Sequence, residues 1–259
     1  MGYFMQIYKS RQLLLELVKR EIKARYKQSV LGYAWVFLVP LINLTVLTIV
    51  FSFLLRVPTG GVPYPIFLLV GLVPWTFTAN AISAATSSLV SNSSLITKIY
   101  LPREIFPIAS ILSKMVDLLL SIIILVIFMI FFGVSLHLTI LLVPVIFVLQ
   151  MVLIIGVSLI LSSLNVFFRD VENILGVLLT VWMYLTPILY PSELIPQKFL
   201  LIFNLNPMMA IVNSYRNVVL YGVLPPWQSF IYSAIFSLFL FIFGYIIFRQ
   251  RSKYFADVI

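Results

Sequence analysis

A dense basic segment that runs straight into an apolar span constrains this chain more than any other feature. Lys19-Arg-Glu-Ile-Lys-Ala-Arg-Tyr-Lys-Gln-Ser-Val-Leu-Gly-Tyr-Ala-Trp35 leads into hydrophobic residues from Ala34 to Leu55. A run of that length crosses the roughly 30 Å hydrocarbon core of a bilayer. Seven Lys and Arg lie between Lys9 and Lys27 against two acids, Glu16 and Glu21, and such flanks stay on the cytoplasmic side because their translocation is unfavourable. The segment 9–29 is therefore expected as a cytoplasmic amphipathic interface helix feeding the first span. A secretory leader would have a short basic stretch and a brief apolar one, so the N-terminus is expected to be retained.

Composition agrees, with 62% of residues hydrophobic and 10% charged, far from a soluble domain. Runs long enough to span occur at 34–55, 66–90, 107–132, 138–165, 171–190 and 228–248. The expectation is one all-α integral membrane domain, 1–259, with six transmembrane helices. An even count returns the C-terminus to the cytoplasm, where Arg249, Arg251 and Lys253 supply a basic flank. This places thirteen basic residues inside and three outside (Arg56, Lys198 and Arg216), with Lys114 inside a span. Between the fifth and sixth spans, Phe199–Leu205 and Met208–Val219 are too short to cross and are broken by Asn206-Pro207. The stretch 192–221 is expected as an outer hairpin of short helices. It either dips into the membrane and returns, shielded from lipid by protein, or lies on the surface as an amphipathic cap.

Residues with catalytic chemistry are scarce. There are eight acids, one histidine and no cysteine, hence no disulfide framework or thiolate site. His137 stands alone in an outer loop and is expected to be solvated. Asp170 and Glu172 could hold a metal, but at the start of a helix they complement its dipole, with Arg169 beside them. Lys114 and Asp117 share a helix face near the inner end of the third span, where Lys114 can snorkel, and are expected to be a structural pair. No phosphate loop of the Gly-x-x-x-x-Gly-Lys-Ser/Thr type is present, so ATP hydrolysis is not expected from this chain. A polyprenyl-phosphate glycosyltransferase would need clustered surface acids, and an ion channel or secondary transporter would need convergent charges near the midplane. Nucleic acid is not expected as a partner despite the net charge of +9, because the basic residues cluster at membrane borders, where lipid headgroups are the anions at hand.

Other segments point to a path and a docking surface. Asn80-Ala-Ile-Ser-Ala-Ala-Thr-Ser-Ser-Leu-Val-Ser-Asn-Ser-Ser94 is rich in small and hydroxyl residues, which serve close helix packing or a polar channel wall. Ser83 and Ser87, with the aromatics Tyr33, Trp35, Trp75 and Tyr184, are candidate channel-lining residues. Aromatics near a membrane border also act as interface anchors. The inner loop 97–107, Thr97-Lys-Ile-Tyr-Leu-Pro-Arg-Glu-Ile-Phe-Pro107, combines an apolar cluster with charges and could dock in a partner's groove.

Taken together, the chain resembles the permease subunits of bacterial ABC-2 type exporters of lipid-linked polysaccharides, the O-antigen and teichoic-acid group. The resemblance rests on Arg20-Glu-Ile-Lys-Ala-Arg-Tyr-Lys-Gln-Ser-Val-Leu-Gly-Tyr-Ala-Trp35 with Pro40 and on Lys98-Ile-Tyr-Leu-Pro-Arg103. It rests also on Phe168-Arg-Asp-Val-Glu-Asn-Ile174 followed by Tyr184-Leu-Thr-Pro-Ile-Leu-Tyr-Pro191 and Asn206-Pro-Met208, in a six-span setting. It implies a homodimer with a channel between the copies, driven by two copies of a separate ATPase subunit that carries ATP and magnesium, in the bacterial inner membrane. The implied substrate is an undecaprenyl-diphosphate-linked glycan of the O-antigen type, with teichoic-acid or capsular polymers as alternatives. By the same resemblance, Ile99, Tyr100, Leu101, Pro102, Arg103 and Glu104 form the coupling element on the ATPase. Lys23, Arg25 and Lys27 receive the lipid diphosphate, and Asn206, Pro207 and Arg216 belong to the outer gate.

Overall fold

The computed structural model describes residues 10–26, 34–98 and 101–259, and its described residues form helices and turns without a strand. In chain order the helices are α1 (Arg11–Tyr26), α2 (Ala34–Thr48), α3 (Tyr64–Ser91), α4 (Ser93–Lys98), α5 (Ile105–Phe131) and α6 (Val143–Phe167). They continue with α7 (Asp170–Tyr184), α8 (Leu200–Asn204), α9 (Pro207–Arg216), α10 (Trp227–Arg251) and α11 (Phe255–Val258). Helix α2 runs on into a π-helical stretch, Ile49–Leu54, as α9 does into Asn217–Tyr221, and a 3₁₀ turn, Leu138–Leu142, leads into α6.

Among the described residues, four helical stretches are long and apolar enough to cross a membrane: Tyr64–Ser91, Ile105–Phe131, Leu138–Phe167 and Trp227–Val258. They have 28, 27, 30 and 32 residues, well beyond the ~20 that a span requires. One of the expected spans is shorter. At 34–55 the chain is helical from Ala34 to Leu54, as α2 and its π-helical continuation, whereas the run expected at 171–190 is helical only as α7, 15 residues ending at Tyr184. The early stop has a local cause, because Pro187 lacks an N–H and disfavours helical backbone at Thr186.

Helix α3 is the centre of the bundle, in contact with α2, α5, α6, α7 and α9, and α10 packs along α6. The main core runs along α3 and includes Phe67, Trp75, Ile82, Leu153, Ile188, Met208 and Val218. A second cluster gathers Leu17, Leu89, Ile96, Ile105, Phe106, Val166, Phe248 and Phe255. It defines one end of the bundle, where α1, the last turns of α3, α6 and α10, and the first turn of α5 meet. Lys19, Arg20, Lys23, Lys98, Arg103, Arg169, Arg249, Arg251 and Lys253 belong to elements of this end. The opposite end holds the start of α3 and the 185–222 region, joined by Tyr64 Oη donating to the Leu189 carbonyl (2.8 Å) and Tyr221 Oη to the Thr59 carbonyl (3.3 Å).

The hairpin expected at 192–221 consists of two 3₁₀ turns, α8, α9 and the π-helical stretch. Helix α9 is no surface cap, since Pro207–Val212 and Ser214–Arg216 are buried in packing against α3, α6 and α10. The loop expected at 97–107 is narrower, because α4 extends to Lys98 and α5 begins at Ile105. His137 is less solvated than expected: it is half-buried, and a Cβ on Gly222 would lie 2.7 Å from its ring. Gly222 ends the hairpin in left-handed backbone, φ 65°, a conformation glycine adopts without strain.

Candidate functional site

The chain between α7 and α9 unwinds, and its exposed carbonyls are met by side chains brought from a distance. Arg216, 3% exposed at the end of α9, donates through Nη1 to the Pro187 carbonyl at 2.5 Å and through Nη2 to the Ile188 carbonyl at 2.6 Å. Asn206 Nδ2 donates to the Leu185 carbonyl (3.1 Å) and to Thr186 Oγ1 (2.8 Å), while its Oδ1 accepts from Trp182 Nε1 (2.8 Å) and caps α9 at the Met208 N–H (3.0 Å). Tyr190 Oη donates to the Tyr184 carbonyl at 2.8 Å. Irregular backbone at membrane depth is tolerated only when protein satisfies it in this way. The Arg216 guanidinium lies 3.7 Å from the Phe67 ring centroid, a cation–π contact that helps offset its burial. Gly71 makes room for it, since a Cβ there would be 2.9 Å from Nη2.

A second polar network ties α9 to the middle of the bundle. Gln150 Nε2 on α6 donates to the Pro74 carbonyl (2.8 Å) and Thr78 Oγ1 (2.9 Å) on α3, and Gln150 Oε1 accepts from Tyr215 Oη on α9 (2.8 Å). Gln150 → Leu is expected to cost about 1–3 kcal/mol, because it leaves the buried Tyr215 hydroxyl without its acceptor. Combining it with Tyr215 → Phe should cost less than the two single changes added. Unfolding midpoints of the four proteins in one detergent measure this, and strict additivity would show that the bond is unimportant.

Helix α3 is buried nearly all round except for one stripe, in which polar residues are interspersed with the half-buried Ala79, Ala84 and Val90. Thr76 and Ser87 are half-buried, and Asn80, Ser83 and Ser91 are exposed. Thr76 and Ser87 return their hydroxyls to their own helix, at Val73 and at Ser83 and Ala84. The Asn80 amide is not among the hydrogen-bonded groups of the described residues. Polar side chains at membrane depth face a bundle interior or a wet cavity, so this stripe marks the surface of the chain that lipid does not suit.

The basic end is held by α1. Arg20 Nη2 donates to Asn92 Oδ1, Asn92 Nδ2 to the Ser88 carbonyl, and the Ser110 and Ser113 hydroxyls to the Glu21 carboxylate at 2.6 and 2.8 Å. These bonds pin α1 across α3 and α5. Lys19 and Lys23 remain exposed, and Lys19 Nζ, 2.8 Å from Glu16 Oε1, holds that carboxyl below its usual range.

The expected site residues are placed unevenly. Lys27, Tyr33, Ile99 and Tyr100 lie outside the described residues; Arg25 falls in α1 and Trp35 in α2. Ser83, Tyr184 and, in part, Ser87 are open at the surface. Trp75 is not a free lining residue: it is 3% exposed and meets Trp182 edge-on at 5.6 Å, because it points from α3 into the core. Leu101, Pro102 and Arg103 are half-buried, whereas Glu104 is buried and precedes α5, so a docking partner would meet the former three. Lys114 and Asp117 are half-buried on α5. Asp170 and Glu172 occupy the first turn of α7, and no group of three or more His, Cys, Asp or Glu that could hold a metal occurs among the described residues. Sequence reasoning missed Gln150 and Tyr215. The signal for Gln150 was there, as an amide in the middle of the apolar run 138–165, a position that demands a buried partner.

Residues 12–220 match the ABC-2 type transporter family. Across 98% of both chains, the sequence is 31% identical to the O-antigen export system permease protein RfbA of Myxococcus xanthus. It is 32% identical to a protein of the same name from Klebsiella pneumoniae over 95% of both chains. Similarity extends to the polysialic acid transport protein KpsM of Escherichia coli, at 24% identity over 92% of both chains.

Proposed function

The chain belongs to the ABC-2 type transporter family, and on that premise we propose that it is the membrane-spanning subunit of an ATP-driven polysaccharide exporter. It is a transport permease and not an enzyme, as family members are. ATP hydrolysis is assigned to two copies of a separate ATPase subunit. Greater identity to the O-antigen permeases than to the polysialic acid protein, 31% against 24%, favours an undecaprenyl-diphosphate-linked glycan of the O-antigen type over a capsular polymer.

The observation that carries this reading is the polar stripe Thr76, Asn80, Ser83, Ser87 and Ser91 on the otherwise buried α3. Two copies of the chain facing each other would enclose it as the wall of a hydrated path, with hydroxyls and an amide to solvate passing sugars. The basic end faces the cytoplasm in the proposed orientation, because flanks so rich in Lys and Arg resist translocation. Six crossings then include α2 with its π-helical continuation and the short α7, the latter extended to the far face by the unwound 185–190 segment, with α8 and α9 forming a re-entrant outer gate. Lys23, Arg25 and Lys27 offer the diphosphate charge-assisted bonds at the inner surface. The 97–107 segment couples to the ATPase, with Leu101, Pro102 and Arg103 forming its described accessible part.

Filling the stripe tests the reading. Ser83 → Trp and Ser87 → Trp together should leave membrane accumulation and ATPase recovery unchanged while export of the glycan collapses, since Ser83 is open and Ser87 partly open in the single chain. Normal export by the well-accumulated double variant would remove the path from α3. Glycosyl transfer by the purified chain without ATP or a partner would overturn the exporter reading altogether.

A further inference from the structure

We propose that the C-terminal turn α11 is a built-in brace for the coupling segment and that Phe255 is its positioning residue. This rests on the coupling role proposed above for 97–107. Phe255 lies beyond residue 220, where the family match ends.

Helix α11 has four residues, far too few to be stable by itself, so its place depends on what it buries. Phe255 is 0% exposed. Its ring meets Phe248 of α10 edge-on at 5.3 Å and Phe167 at the end of α6 at 6.1 Å. The Arg103 guanidinium, in the turn before α5, stands 6.0 Å from the same ring, and Arg251 stands 5.5 Å from Phe167. Helix α11 also touches α4, whose Ile96 shares the cluster with Ile105, Phe106 and Phe255. The two sides of the coupling segment, α4 and the start of α5, thus share one packed cluster with Phe255, whose ring is seated on α6 and α10.

The consequence is mechanical. A push on Leu101–Arg103 from a partner would be absorbed by local bending if α4 were loosely held, because only a short turn joins it to α3. With Phe255 in place, α4, α5, α6 and α10 share one packed cluster, and dense packing passes displacement on rather than absorbing it. Removing the ring would leave the partner able to dock while its stroke is dissipated.

Because the chain has no cysteine, Ile96 → Cys provides a reporter at a position only 5% exposed. In membranes, maleimide labelling at position 96 should be slow, and adding Phe255 → Ala should speed it on the order of tenfold or more, as expected when a buried aromatic anchor is lost. Phe255 → Leu, which refills most of the volume, should restore shielding. In the permease–ATPase complex without the reporter, F255A should leave ATPase recovery unchanged and lower glycan exported per ATP hydrolysed several-fold, and F255L should recover it. If position 96 stays shielded in F255A, the brace does not exist. If it becomes accessible while export per ATP stays at the wild-type value, Phe255 does not position the coupling segment. If it becomes accessible and the wild-type complex shows no ATP-driven export, the exporter reading fails and the coupling role falls with it, leaving a purely structural brace.

Discussion

Replacing Arg216 by alanine is expected to be among the most damaging single changes in this chain, costing roughly 2–6 kcal/mol of stability through two buried carbonyls left without a donor. The carbonyls of Pro187 and Ile188 depend on this guanidinium, and each would be left buried and unpaired at a cost of about 1–3 kcal/mol. The face of Phe67 would lose its cation as well. Lysine should rescue little, because a single ammonium lacks the planar fork that reaches two carbonyls while lying on a ring. Gly71 → Ala should reproduce part of the defect by pressing on Nη2, 2.9 Å from the added Cβ. Thermal unfolding in detergent, with protease sensitivity of the 185–190 segment as a local readout, measures both. An R216A protein that unfolds at the wild-type midpoint would mean that water or another donor serves those carbonyls.

The second large effect is expected at the seam between α6 and α10. A Cβ on Gly244 would lie 2.4 Å from the Gly156 carbonyl oxygen, and one on Gly156 would lie 2.6 Å from the Phe241 backbone nitrogen. Both obstacles are backbone, so relief requires the helices to separate. Ser158 and Ser237 are buried on the same two helices, in keeping with the small residues that let membrane helices approach closely. Gly244 → Ala is expected to cost about 1–3 kcal/mol, as overpacking does, and Gly244 → Leu should prevent accumulation of the folded protein. Gly176 on α7 is the control: an added Cβ meets nothing there within 4 Å, so Gly176 → Ala should be neutral or slightly stabilising through helix propensity. Equal unfolding midpoints for G244A and G176A would show that the α6–α10 approach is looser than the structure has it.

These two sites show why parts of the molecule were illegible beforehand. Apolar runs and basic flanks marked the helices at 66–90, 107–132, 138–165 and 228–248 to within a few residues, because hydrophobic length is a property of consecutive residues. Asn206-Pro207 marked a break for a similar local reason, with Asn206 as a helix cap. Pro187 signalled that a helix would end near it. That the freed carbonyls would be met by Arg216, 29 residues further on, depends on how α9 folds back against α3. Trp75 is by sequence either a channel-lining candidate or a core or anchor residue, and in the single chain it is buried against Trp182; an aromatic in an all-apolar run carries no sign of which side it turns to.

The sequence by itself determined that this chain is an all-helical membrane protein, where its long helices begin and end, and at which end its positive charge gathers, since each follows from local hydrophobicity and charge measured against a bilayer. Only the tertiary structure decided which polar stripe of α3 stays open, which glycines form the α6–α10 seam, and which distant side chains, Arg216, Gln150 and Phe255, hold the hairpin and the tail. Inside a membrane nearly every residue is apolar, and facing is set by the few polar, small or aromatic groups that find partners across the fold.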